Sequence, residues 1–401
     1  MRTTARVATV RVLIALAILA TTLSYFKFNH CENNNFAGPD QYIHACYSDL
    51  PALFSERAFG QGQWAFSGDE QAAEYPVLQG LIMWTTAQIS SDSPITYFRV
   101  NIFLIGLLFI ASAFIFYRIR PELTYLYAMA PTGIAALFIN WDLWAIITML
   151  FAIYWFDRKR ETLSAVALAI SIATKFFPIF LLLPIAIIYL RRHNIRGGIR
   201  YIALTLAIFI AINIPFALTT PQGWWRFYEL NLNRKADGGS IWYALSVLGV
   251  DLANINYLSI LAVLIAISAI AIFLLQTTHT LPLSESALYI FIAMMAVSKV
   301  YSPQYVLWLA PLALLALKDK RDLPWFWGWQ IAEIGYHIAI WQHLAILTGA
   351  PFGLPVKAYA TFTLIRIFAS IALAVALARR HKRNESFPAG EFLLSSGSSY
   401  P

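Results

Sequence analysis

No GxGxxG turn, GK[ST] phosphate loop, HExxH helix or CxxC pair occurs in these 401 residues. That removes the dinucleotide, nucleotide and structural-zinc sites that announce themselves by local spacing. Charge is scarce as well: 12% of residues are Asp, Glu, Lys or Arg against 59% hydrophobic, too few to solvate the surface of a water-soluble domain. Cysteine is limited to Cys31 and Cys46, which excludes a disulfide-rich scaffold. The two halves of the chain show no internal repeat, and the inverted pairs of broken helices built into many secondary transporters are not evident.

What the sequence has is long apolar runs, with a mean hydropathy of +0.62. A bilayer core of about 30 Å takes roughly 20 apolar residues per helix, fewer where neighbours shield a segment. Helices are expected near residues 8–26, 97–117, 123–139, 141–156, 161–175, 176–190, 199–218, 255–276, 285–300, 303–317, 324–347 and 358–378. The fold class is therefore an all-α polytopic membrane protein of about 12 transmembrane helices. No small-residue cleavage site follows the first run, which reads as a retained helix rather than a removed signal peptide.

The net charge of +8 does not point to nucleic acid, because the basic residues sit in short clusters between apolar runs rather than on one stripe. Laying "YPVLQGLIMWTTAQIS", residues 75–90, along the interface instead of through the membrane puts "MRTTAR", "YRIR", "DRKR", "RRHNIRGGIR", "KDKR" and "ARRHKR" all on one side, the cytoplasmic side by the positive-inside rule. Both termini are then cytoplasmic in the plasma membrane. Two sizeable loops face outward, residues 27–96 and 219–254, and long loops on a rigid scaffold are where chemistry is placed. Cys31 and Cys46 share the first of them, on the oxidising side. A bridge there would add about 3 kcal/mol on the chain-entropy model, and two unrelated free thiols are the other reading. The tail over 384–401, rich in Ser, Gly and Pro, reads as disordered.

Polar residues gather at the outer ends of the helices, where ionisable groups are costly and mark sites or pathways. Asp49 stands in "HACYSDLPALF", Glu74 and Tyr75 in "AEYPVLQG", Asp142 in "FINWDLWAI", and Lys175 in "IATKFFPIF". Arg234, Lys235 and Asp237 stand in "NLNRKADGGSIWYAL", and Lys299, Gln304 and Tyr305 in "VSKVYSPQYVLWLAP". Each has a plainer reading. Asp49 can cap the short helix before Pro51, Asp142 reads first as the cap of the helix from Leu143, and Glu74 as a solvated loop acid. Lys299 can snorkel. Deeper in the chain Glu333 and His337 share a helical face, and Arg366 on the next helix lies at comparable depth, which reads as a structural ion pair ahead of a polar wall for a lipid groove.

The succession "CYSDLPALF", "EYPVLQGLIMW", "NWDLWA", "TKFFP", "GGSIWYAL" and "SKVYSPQYVLWLAPLALL" resembles glycosyltransferase family 87 of the C-type (GT-C) superfamily, which includes the polyprenol-phosphate-mannose-dependent α-mannosyltransferases of actinobacteria. The resemblance spans nearly the whole chain. It implies a GT-C fold over residues 1–383 with juxtamembrane helices in the first outer loop, and Asp49 as catalytic base. It also implies a mannosyltransferase of lipoglycan biosynthesis in the cell envelope, taking its donor sugar from a polyprenyl phosphate. The chemistry suits such residues: a sugar on a lipid phosphate carries its own leaving group, so the site needs a base for the acceptor hydroxyl and cations for the phosphate. Lys299, Lys175, Arg234 and Lys235 are the candidate cations, and Tyr75, Glu74, Asp142, Gln304 and Tyr305 the candidate substrate contacts. No cofactor and no metal is implied. The expected partners are the donor, a lipid-linked or glycan acceptor and membrane lipids. Arabinofuranose transfer remains an alternative, as does a lipid-linked sugar flippase or transporter, although a flippase needs no positioned base and the inner half of the chain has little polar lining.

Overall fold

The computed structural model describes residues 2–68, 70–250 and 252–381; the tail expected to be disordered from residue 384 lies outside them. Among the described residues all regular structure is helical: α1 (Arg2–Asn33), α2 (Asp40–Ile43), α3 (Asp49–Glu56), α4 (Val77–Ile89), α5 (Pro94–Ile119), α6 (Thr124–Ala128), α7 (Pro131–Ala136), α8 (Leu143–Asp157), α9 (Glu161–Thr174), α10 (Leu182–Arg191), α11 (Ile195–Thr219), α12 (Pro221–Asn233), α13 (Ile241–Val247), α14 (Ile255–Gln276), α15 (Leu283–Val297), α16 (Val306–Ala316), α17 (Leu323–Leu347) and α18 (Val356–His381), joined by loops and 3-10 turns. The chain is a polytopic all-α membrane protein.

Among the described residues, five helical segments are long and apolar enough to cross a bilayer: Val10–Asn33, Pro94–Ile119, Ile195–Thr219, Ile255–Gln276 and Val356–Arg380. α11 and α14 turn Ile210, Leu218, Ile260 and Leu264 outward, an apolar surface suited to lipid. α8, α9, α15 and α16 are shorter and lie inside the bundle, where Leu150, Leu168, Phe291 and Leu312 are buried. α17 has 25 residues, but Gln330, Glu333, His337 and His343 lower its hydropathy, and all four are buried. The single helix expected over 123–139 is instead α6 and α7 with a break at Met129 and Ala130. Pro131 causes it: the ring removes a backbone donor and drives Ala130 out of the helical region, to φ −59° and ψ 121°.

The course of the helices separates two ends. α8 runs away from Asp142 to Asp157 and α9 returns to Lys175; α10, α14, α16 and α18 run away, while α11, α15 and α17 return. At the far end Arg158 donates to the Arg118 carbonyl at 3.0 Å, Arg191 to that of Leu274 at 2.6 Å, and Arg120 to that of Leu315 at 2.9 Å. The near end holds the loop from α1 to α5, α12 and α13, and residues 298–305. α1 ends and α5 begins at that end, and α4, with 13 residues, lies between them in the chain.

The near-end loops are tied down rather than loose. Cys31 and Cys46 are joined by a disulfide with their Cα atoms 5.9 Å apart. α12 seats on the first loop through Arg226, whose guanidinium donates to the Ala72 carbonyl at 3.0 Å and also to that of Glu70. Gly223 makes this approach possible, since a Cβ there would lie 2.2 Å from the Phe66 carbonyl oxygen.

Candidate functional site

Asp49 owes its position to the residue before it. Ser48 is the N-cap of α3, its oxygen accepting from the Leu50 amide at 3.2 Å, and its hydroxyl donates to the Phe138 carbonyl at 2.7 Å. The Asp49 amide donates to the Ile139 carbonyl at 2.8 Å. Capping is thus the work of Ser48, and the Asp49 carboxylate is left to point elsewhere. It accepts from Asn140 Nδ2 at 2.6 Å. The same amide group donates to the Tyr75 hydroxyl at 3.1 Å, and its Oδ1 accepts from Lys175 Nζ at 2.9 Å and from the Trp141 backbone at 2.6 Å.

Asp142 was expected to cap α8. It stands at the N-cap position but its side chain makes no capping bond; its Oδ1 accepts from Trp308 Nε1 at 2.8 Å, and its Oδ2 lies 3.8 Å from Lys175 Nζ with no hydrogen-bond partner of its own. The backbone at Asp142 is helical rather than extended, at φ −56° and ψ −30°, so the carboxylate is not aimed at the first free amides of α8. Lys175, at the C-terminus of α9, therefore stands beside Asp142, is linked to Asp49 through Asn140, and lies over the Tyr75 ring, 4.4 Å from its centroid.

These groups line a cavity of about 720 Å³, large enough for a sugar and part of a lipid phosphate. Asp49, Asn140, Asp142 and Lys175 are a linked polar group in its lining. One wall carries Glu74 and Tyr75, with Glu74 ion-paired to Arg57. Gln304, Tyr305 and Trp308 also line it. Trp225, Phe227, Tyr228 and Arg234 line it from α12 and the turn after it. Asp49 is half-buried, touching the cavity but otherwise enclosed, and that burial outweighs the hydrogen bond from Asn140 and pushes its carboxyl up to about 6. A carboxylate poised there is ionised at neutral pH and basic enough to take a proton.

Of the cations singled out in the sequence, Lys175 and Arg234 line the cavity, whereas Lys299 and Lys235 do not. The Lys299 ammonium is spent on the end of α12, donating to the carbonyls of Leu232 at 3.3 Å and Arg234 at 3.0 Å and to Asn256 Oδ1 at 2.6 Å. Lys235 is exposed on the turn beyond. Glu74, Tyr75, Asp142, Gln304 and Tyr305 all reach the cavity. Among the lining residues that the sequence does not single out, two are polar and lie close to Asp49. Asn140 is a neutral amide without an electrostatic signature, and Glu56 lies seven residues beyond Asp49 on the same face of α3, a spacing readable from the sequence.

The deep cluster is a brace for the cavity lining. Arg366 is buried and ion-paired to Glu333 at 3.0 Å. It stacks on the rings of Tyr301 and Tyr336 and donates to the carbonyls of Tyr301 and Ser302, each at 2.9 Å. That fixes the backbone leading into Gln304 and Tyr305. His337 does not join it, lying instead 3.0 Å from Lys27 Nζ and 3.1 Å from Trp341 Nε1.

No family model matches the chain, and no curated protein matches it. Among solved structures it is similar to the crystal structure of ArnT from Cupriavidus metallidurans bound to undecaprenyl phosphate, at 13% identity and a TM-score of 0.45, over 93% of this chain and 77% of that one. A superposition this loose carries no conclusion about chemistry, which rests on the residues of the cavity.

Proposed function

We propose that the chain is a membrane glycosyltransferase of the GT-C type that moves a sugar, mannose in the first instance, from a polyprenyl-phosphate donor to a lipid-linked or glycan acceptor at the extracytoplasmic face. The observation that carries this reading is the lining of the cavity, where one carboxylate poised near pH 6 stands within a hydrogen-bonded group that also contains a lysine. Asp49 takes the proton of the acceptor hydroxyl as that oxygen attacks C1 of the sugar. The bond from C1 to the phosphate oxygen breaks, and its electron pair leaves with the polyprenyl phosphate. Lys175 and Arg234 are the cations placed to receive that charge. Attack from the side opposite the leaving group inverts C1, so a β-linked donor yields an α-glycoside. The free Oδ2 of Asp142 suits a sugar hydroxyl, which would satisfy it.

The side of the membrane follows from charge. Arg118, Arg120, Arg158, Arg191 and Arg380 lie at the end of the bundle away from the cavity, and the positive-inside rule puts that end in the cytoplasm. Incubating the purified protein in detergent with polyprenyl-phosphate-mannose and an acceptor glycan, and reading the product by mass spectrometry, tests the reading. Transfer is the expected result. Binding of the donor without any transfer would return the chain to the flippase class, since no translocation can occur in a micelle.

A further inference from the structure

We propose that His30, Asp40 and His44 bind a divalent transition metal of the zinc class at the near end of the bundle, outside the cavity. His30 Nε2 lies 2.8 Å from Asp40 Oδ2, and His44 Nδ1 lies 3.1 Å from Asp40 Oδ1. All three ligand atoms fall within 4.8 Å of one another. In a tetrahedral zinc site with bonds of about 2.0 to 2.1 Å, neighbouring ligand atoms are about 3.3 Å apart; each histidine–aspartate pair is within about 0.5 Å of that spacing, and the two histidine nitrogens complete the triangle at no more than 4.8 Å. Two imidazoles and one carboxylate favour zinc, cobalt, nickel or copper over magnesium or calcium. The side chains are 43%, 34% and 45% exposed, which leaves solvent access for entry and for water in the fourth position.

The scaffold around the three is built to hold them. His30 is on the last turn of α1, and the adjacent Cys31 is bridged to Cys46, two residues beyond His44, so the helix end and the α2 turn cannot drift apart. Asn34, one turn after His30, holds its amide nitrogen 3.0 Å from Asp40 Oδ2 and 3.2 Å from His30 Nε2; an entering ion takes over the contact to His30 and leaves Asn34 as the outer hydrogen bond that orients the carboxylate. The two imidazole rings already stand 3.7 Å apart between centroids. From α2 the contact passes inward, since Tyr42 stacks on Tyr47 at 5.5 Å and Tyr47 lines the cavity. A bound ion would therefore hold one wall of the site in place without touching substrate.

The test uses tag-free, full-length protein in detergent, stripped with a chelator and titrated with Zn²⁺ by calorimetry, and with Co²⁺ for its visible d–d absorption. One ion per chain is expected, with a tetrahedral Co²⁺ spectrum, a melting temperature that rises with Zn²⁺, and no competition from Mg²⁺. His30→Ala and His44→Ala should each weaken binding by about 100-fold or more, and Asn34→Ala by roughly 10-fold as an outer partner. The absence of binding by the wild-type protein would overturn the proposal without recourse to any variant. So would unchanged Zn²⁺ affinity in His30→Ala/His44→Ala protein whose Cys31–Cys46 bridge is intact.

Discussion

Asn140→Asp changes one atom of the side chain and inverts its role toward Asp49. In the wild-type protein the amide donates to the carboxylate at 2.6 Å, and a donor on the charged form lowers its pKa. A hydrogen bond to a charged group is worth about 1.5 to 3 kcal/mol, or about 1 to 2 pK units at 1.36 kcal/mol each. Replacing the donor with a second carboxylate adds repulsion of the same sign, so the pair titrates together with its upper apparent value displaced upward. The base must be deprotonated to act, and the acid limb of kcat/KM should therefore move from about pH 6 to roughly pH 7 to 8 or above. A pH profile of mannosyl transfer from pH 5 to 9 reads it, with the variant slow at pH 6.5 and recovering as the pH rises. A limb that stays near pH 6 under a uniformly lower rate would refute the reasoning, since Asp49 would then not be the titrating base.

Other outcomes follow from the same geometry. Lys175→Met should lower kcat/KM for the donor by roughly 30-fold or more, the equivalent of about 2 kcal/mol for a lost partner of a desolvated phosphate; steady-state kinetics with donor varied will check it. Lys299→Met should leave donor dependence unchanged while freeing the carbonyls at the end of α12, at a cost of about 1 to 3 kcal/mol visible in thermal unfolding. Arg366→Met should destabilise by about 3 to 5 kcal/mol by leaving Glu333 buried and unpaired, and Arg366→Met/Glu333→Leu should recover part of that loss; unfolding of the two variants side by side decides it.

How much of this was readable in the sequence depends on the kind of interaction. Asp49, Asp142 and Lys175 stand out because ionisable groups at helix ends are rare in so apolar a chain, and the structure brings all three to one cavity. Lys299 stands out for the same reason, but its ammonium donates to the carbonyls closing α12 and does not line the cavity: a charge in the sequence does not say whether its partner is a ligand or a neighbouring helix end. Asn140, inside "NWD", carries no charge to mark it, yet it joins Asp49, Tyr75 and Lys175. The break between α6 and α7 was legible at Pro131, but the apolar run through it masked the signal. His30, Asp40 and His44 match no metal spacing. Their meeting depends on the Cys31–Cys46 bridge and on a turn through Asn35 and Phe36, both at positive φ, that no periodicity reveals.

Turnover of Asp49→Asn protein is the most direct test of the central claim. Ser48, not Asp49, caps α3, so the amide should leave the fold intact. Because the carboxyl is raised to about 6 in the folded protein, above its unfolded value near 4, the fold loses stability as pH rises through that window and the charge opposes folding at neutral pH. Asn removes that charge, and the variant should unfold no earlier than the wild type at pH 7.5. With donor binding retained, sugar transfer should fall by about 10² to 10⁴-fold. Near-normal transfer by a monodisperse Asp49→Asn protein would contradict the account and leave Asp142, Glu56 and Glu74 as the remaining carboxylates of the cavity.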